Sequence, residues 1–136
     1  RVTDTEAKDD KGKTALMIAS SWGVGRLVRL LLGADADVEA KSMTGMTSLM
    51  EAVRGGHMDV VTHLLKVGEA DVKPQDTAGR DAIQWAKDNV NTNDSVEKEK
   101  QYRDILKLLG QYKKRQDLIA DWARFVRDIT VLRFTK

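Results

Sequence analysis

The chain has 136 residues, about one domain, and a formal net charge of +2, too small to set up a whole-protein field for nucleic acid or an anionic membrane. It has no cysteine, which excludes a disulfide framework and thiolate metal sites, and only 5% aromatic residues, which favours an aliphatic helical core over a β-sandwich. The opening RVTDTEAKDD has no apolar leader core and no apolar run nears membrane-spanning length, so the chain reads as intracellular, cytoplasmic with the nucleus as the alternative.

In chain order the sequence repeats itself. Gly12, Gly45 and Gly79 recur at spacings of 33 and 34; Leu16-Met17 returns as Leu49-Met50, Gly23 as Gly56, and Leu31-Leu32 as Leu64-Leu65. Residues 1–11 read as an N-terminal arm or the tail of a preceding unit, and a start at Arg1 rather than Met reads as a fragment of something longer. The first unit, 12–44, predicts one helix over Thr14–Ser21 and a second over Gly25–Leu32, with Leu27, Val28, Leu31 and Leu32 facing inward. The second unit, 45–78, predicts a helix capped by the Thr47 hydroxyl, a break at Gly55-Gly56, a second helix carrying Val60, Val61, Leu64 and Leu65, and a left-handed cap at Gly68. Asp35 stands where Gly68 stands and tolerates the same backbone less well.

The third unit, 79–110, is degenerate. Asp81 replaces the capping threonine, Ile83, Trp85 and Ala86 carry the first helix, and a polar insert, 88–100, replaces the turn. Asp94 with Glu97 reads as a capping box for a helix bearing Tyr102, Ile105, Leu106, Leu108 and Leu109, with Gly110 ending it. Residues 111–136 then form an amphipathic helix, with Leu118, Ile119, Trp122, Phe125, Val126, Ile129 and Leu132 at spacings of three and four. Its opposite face is basic but diluted by Asp117, Asp121 and Asp128, which argues against nucleic acid and membrane. Three readings stay open for this helix. It caps the last repeat by burying Trp122 and Phe125, it opens a neighbouring region, or it binds a partner groove.

A period of 33 with helix–turn–helix content fits few repeat classes. The fullest unit, TGMTSLMEAVRGGHMDVVTHLLKVGEADV at 44–72, resembles an ankyrin repeat through Gly45, Thr47, Leu49, Ala52, Gly56-His57, Val60-Val61, Leu64-Leu65, Gly68 and Asp71-Val72. The resemblance covers roughly residues 4–110 and implies an all-α ankyrin-repeat solenoid, 12–110, of about three units with loop arms, plus extra C-terminal helices. The sequence departs from the family at Ala15 and Ser48, where a proline is usual, and at Met17 and Met50, where a histidine is usual.

Chemistry finds little support. AKDDKGKT at 7–14 lacks the apolar strand and free amides of a phosphate loop, and Gly12 belongs to the repeat. His57 and His63 are six apart and share no helix face, so no metal, cofactor or catalytic residue is expected; the Asn93 sequon reads as chance.

The resemblance implies instead a protein–protein interaction module that binds through loop tips and the concave end of each first helix. Carried over by position, those residues are Asp10, Lys11, Lys13, Ser21 and Trp22; Met43, Thr44, Met46 and Arg54; and Thr77, Ala78, Arg80 and Asn89. Trp22, Met43 and Met46 are expected as large apolar groups in solvent, the profile of binding hot spots, with packing of Trp22 over Gly23 as the competing reading. Lys11, Lys13, Arg54 and Arg80 are expected to form a basic rim for an acidic or extended peptide. The alternatives are a regulatory or targeting domain of a larger enzyme or channel, and a plain structural spacer.

Overall fold

A computed structural model of the protein describes residues 4–92 and 95–134. Its described elements are six helices: α1 Ala15–Trp22, α2 Gly25–Gly33, α3 Ser48–Gly55, α4 Met58–Lys66, α5 Ala82–Val90 and α6 Val96–Phe134. They stack as pairs. α1, α3 and α5 pack side by side in one row, and α2, α4 and α6 form a second row against them.

Local chemistry fixes each pair. The hydroxyls of Thr14 and Thr47 accept from the backbone N–H of Met17 and Met50, and the Asp81 carboxylate does the same for Gln84, so all three first-row helices begin on a side-chain cap. Gly23 and Gly56 end α1 and α3 in the left-handed conformation. The His57 ring covers Gly23, where a Cβ would lie 2.5 Å from its Nδ1. Its Nε2 lies 3.0 Å from the carbonyl of Ser21, which can only accept, so that nitrogen carries the proton.

The third pair repeats this lock with a different residue. Tyr102 of α6 covers Gly56 and donates its hydroxyl to the carbonyl of Arg54 at 2.9 Å, 33 residues on from Ser21. Burial pushes its phenol above the usual range. Long α6 thus takes the place of the second helix of unit three, and its Ile105 and Leu109 are fully buried. Gln116 then grips the preceding arm, donating to the Ala70 carbonyl at 2.9 Å and accepting from the Val72 N–H at 3.2 Å.

The arms are tied across units at the same period. The Glu6 carboxylate accepts from Asp37 N–H at 2.8 Å, and Glu39 accepts from Asp71 N–H at 2.9 Å. Burial pushes the Glu39 carboxyl upward in spite of that bond. The corresponding third position is Lys73, which meets Asp117 of α6 at 2.9 Å. At the other end of each arm the tip is closed by its first residue. Asp9 Oδ1 accepts from Lys11 and Lys13, Ser42 Oγ from Met46, and Asp76 Oδ1 from Ala78 and Arg80. Neighbouring tips are joined by Met43 N–H to Lys11 carbonyl at 3.1 Å and by Thr77 N–H to Thr44 carbonyl at 3.0 Å.

Several expectations are corrected. The left-handed residue after α4 is Glu69, φ 53, not Gly68; Asp35, φ 61, is its partner in the first unit. Gly68 is needed for closeness instead, because a Cβ there would sit 2.8 Å from the Leu64 carbonyl. Gly110 does not end a helix: α6 runs through it without a break. A mid-helix glycine costs about 1 kcal/mol, and helix-forming residues follow it and extend the docked face through Tyr112 and Gln116. One continuous helix therefore replaces the separate C-terminal helices. The 88–100 insert shrinks, since α5 reaches Val90 and α6 starts at Val96. Asn93 and Asp94, and with them the capping box and the sequon, lie outside the described residues. Leu27 is 42% exposed, because among the described residues no helix pair packs on the outer side of α1 and α2. Trp122 and Phe125 are exposed, so the capping role belongs to Tyr102–Gln116 and not to them.

Two expected outcomes follow from this packing. Leu109→Ala should cost about 2–5 kcal/mol, whereas ending the chain after Asp117 should change stability in dilute solution by less than about 0.5 kcal/mol; urea unfolding followed by circular dichroism checks both. Burial raises the Asp76 carboxyl, but the N–H groups of Arg80 and Ala78, the Arg80 guanidinium and the Trp85 indole outweigh it and hold it below its ordinary value of 3.8. A carboxyl depressed in the fold stabilises above its unfolded value and loses that contribution as pH falls through the folded one. Asp76→Asn should therefore lower stability at neutral pH by about 1–3 kcal/mol and soften the acid decline; an acid decline as steep as the parent's would contradict this.

Candidate partner-binding surface

Between the first and second tips lies a cleft of about 460 Å³ lined by Asp10, Lys11, Lys13, Met43, Thr44, Met46, Glu51 and Arg54. The tip backbones form its walls. Gly12 and Gly45 turn in the left-handed region, and a Cβ on Gly12 would come within 3.0 Å of Met43, so the tips stack too closely for any other residue there.

Seven of the residues expected in the site meet here: Asp10, Lys11, Lys13, Met43, Thr44, Met46 and Arg54. Met43 stands 74% exposed at the mouth. Met46 does not: it is 4% exposed, at the floor, with its N–H drawn back to the Ser42 hydroxyl and its side chain part of the core. Trp22 is 77% exposed, which rules out its packing over Gly23, a place His57 holds. It ends α1, roughly 12 Å along the helix from the tips at 1.5 Å per residue, and does not line the cleft. Ser21, Thr77 and Arg80 also lie outside it. Ser21 bonds back to the Ile18 carbonyl, and Arg80 stacks on Trp85 at 3.9 Å.

Glu51 was not foreseen. It is fully buried under the cleft, with Arg54 Nη2 2.7 Å from one oxygen and Lys13 Nζ 3.1 Å from the other. The lysine contact is a charge pairing, since that oxygen has no hydrogen-bond partner of good geometry. The sequence held one signal: an acid at the position that is Ile18 one unit earlier and Trp85 one unit later, three residues before an arginine. The consequence is electrostatic. Lys13 and Arg54 answer to Glu51, and Arg80 answers to Asp76 at 3.2 Å. Three of the four cations expected to form a basic rim are thus already paired within the chain.

A second cavity, about 510 Å³, lies between α4 and α6 and is lined by Leu65, Lys66, Glu69, Tyr112, Arg115, Gln116 and Ile119, none of them expected in the site. Among the described residues no three His, Cys, Asp or Glu side chains converge as metal ligands, and no helix is long and apolar enough to cross a membrane. His57 and His63 are engaged with the Ser21 carbonyl and with Arg29.

The comparisons agree with this architecture. The chain is 46% identical over 76 residues to the Ankyrin repeat and KH domain-containing protein mask of Drosophila melanogaster, covering 55% of this chain and 2% of that protein. It is 34% identical over 85 residues to Ankyrin repeat domain-containing protein 63 of Homo sapiens, covering 60% of this chain and 22% of that protein. It is 38% identical over 71 residues to the E3 ubiquitin-protein ligase XBAT33 of Arabidopsis thaliana, covering 52% and 14%. The chain thus spans a small part of the length of these relatives. The family described as ankyrin repeats (3 copies) matches residues 16–118. With three stacked helical units, tips at a spacing of 33 and 34, and that match across most of its length, the chain belongs to the ankyrin-repeat family.

Proposed function

We propose that the chain is a non-enzymatic, intracellular interaction module whose cleft between the first two tips takes an apolar side chain from an extended segment of a partner protein. Ankyrin repeats generally mediate protein–protein interaction and are not catalytic, which supports the class of function. The observation that carries the finer reading is Met43, a large flexible apolar side chain held in solvent beside a cleft where buried Glu51 offsets one of the two charges of Lys13 and Arg54. Such a cleft gains more from covering the methionine than from attracting charge. Asp10, Lys11 and Thr44 give it a polar rim, Met46 and Arg54 line it below, and Trp22, Ser21, Thr77 and Arg80, outside the cleft, are proposed as separate contacts. Glu51 and Asp76 offset two of the four positive charges from which an acidic partner is expected, which weakens the case for one.

One observation favours a second reading, in which the module targets or regulates an enzyme or channel within a longer protein: one relative is named as a ubiquitin ligase, and the chain matches only 14% of it. That reading uses the same surface.

The test is capture from the protein's own cell type, followed by titration of the purified partner. Met43→Ser should weaken binding at least about tenfold, and adding Trp22→Ser should weaken it further, as expected of exposed hot-spot anchors; both variants should keep the parent's circular dichroism and melting point. Affinity should change little with salt. Undiminished capture by the double variant would sink the proposal, and a steep loss of affinity with salt would restore the acidic partner.

A further inference from the structure

Among the described residues beyond Asp117, only Ile119 of α6 still faces the repeats, at the edge of the cavity with Leu65. Leu118, Trp122, Phe125 and Ile129 are 69%, 64%, 54% and 48% exposed, at spacings of four, three and four. Trp122 and Phe125 touch each other, with ring centroids 5.6 Å apart. We propose that residues 118–133 pair with the same segment of a second copy of this chain, as a short parallel coiled coil.

Three observations carry this. The first is the spacing, which is that of a heptad seam with Trp122 and Ile129 at the a positions and Leu118 and Phe125 at d. Val126, 44% exposed, widens the seam at e. The second is charge. The g positions are Asp121 and Asp128, and Arg133 is at e. In a parallel pair each g residue faces the e residue five places on in the other helix, so Asp128 meets Arg133 of the second copy, once on each side. An antiparallel pair centred on Phe125 sets Asp121 against Asp128 instead, where like charges repel. The charge pattern is therefore self-complementary in the parallel direction, which favours a second copy as the occupant.

The third is room. The face of α6 that docks on the repeats centres on Ile105, Leu109, Tyr112 and Gln116, with Leu106 and Leu108 at its flanks, and its centre line continues along the helix as Ile119, Ala123 and Val126. Each seam residue precedes a position of that line, so the seam lies roughly 100° around the helix from the docked face at 3.6 residues per turn. A twofold axis along the seam then sets the two repeat bodies on opposite flanks. The exposed segment is roughly 24 Å long at 1.5 Å per residue, about two heptads, so the association is expected to be concentration-dependent rather than permanent.

The test uses the full chain. Sedimentation over a range of concentrations should show reversible conversion to twice the 15.2 kDa of a single chain. The chain has no cysteine, so Leu118→Cys introduces one thiol. In a parallel pair it faces its own copy and should form a disulfide-linked dimer on mild oxidation. Arg133→Glu should weaken association roughly fivefold, the scale of two exposed ion pairs, and Asp128→Arg combined with Arg133→Glu should restore it. Trp122→Ser with Ile129→Ser should abolish association while leaving the melting of the repeats unchanged, because both side chains are exposed in the single chain. A chain that stays monomeric at every concentration overturns the proposal. So does a Leu118→Cys variant that associates without cross-linking, or an Asp128→Arg single variant that associates more tightly, since both mark an antiparallel pair.

Discussion

Each helix pair in this chain has two apolar sides, and neither can be covered from within the pair. Everything else depends on that constraint. The middle pair is covered on both sides, and six of the eight residues of α3 are buried. In α2, at one end of the stack, only Val28 is fully buried. Equivalent positions show the cause directly. Ile18 and Leu27 are 38% and 42% exposed, while Glu51 and Val60, 33 residues later, are fully buried because the first pair lies over them. Stability therefore resides in neighbours rather than in any one unit, and the unit with two neighbours holds the rest.

The third unit shows what the stack demands of whatever closes it. Its second helix need not resemble α2 or α4, but it has to supply the same contacts. Tyr102 reaches the Arg54 carbonyl where His57 reaches that of Ser21, with a phenol doing the work of an imidazole. The arm contacts change in kind. Glu39 accepts from a backbone N–H, but the next position faces a helix side chain, and there a lysine meets Asp117. The Asp117 carboxylate holds the Lys73 ammonium above its usual range, which reflects that exchange of partner.

The repeat, the caps and the aliphatic core were legible in the sequence because each follows from spacing. Thr14, Thr47 and Asp81 sit one period apart, and a period survives any uncertainty about single residues. What escaped were features set by contacts between units. Gly68 looks like a helix stop, but its role is the approach of Leu64, Val38 and Leu32, which no local pattern encodes. Gly110 looks like another, yet contacts further along α6 outweigh its local preference. Of the surface residues, the tips were placed by the repeat, but Met46 turned inward and the cations found partners in Glu51 and Asp76. Charge pairing across a fold depends on geometry that residue counts do not contain.

The bonds that join one tip to the next, Met43 to Lys11 and Thr77 to Thr44, fix more than the tips themselves. They lock the tips to the pitch of the helix stack, and packed helices lie about 8–10 Å apart. An extended chain advances about 3.3 Å per residue. A peptide laid across the tips therefore meets a new one at about every third residue, and its alternating side chains fall on opposite sides at successive tips. In the binding mode proposed above, the stack would act as a ruler and favour partners whose sequence keeps that beat.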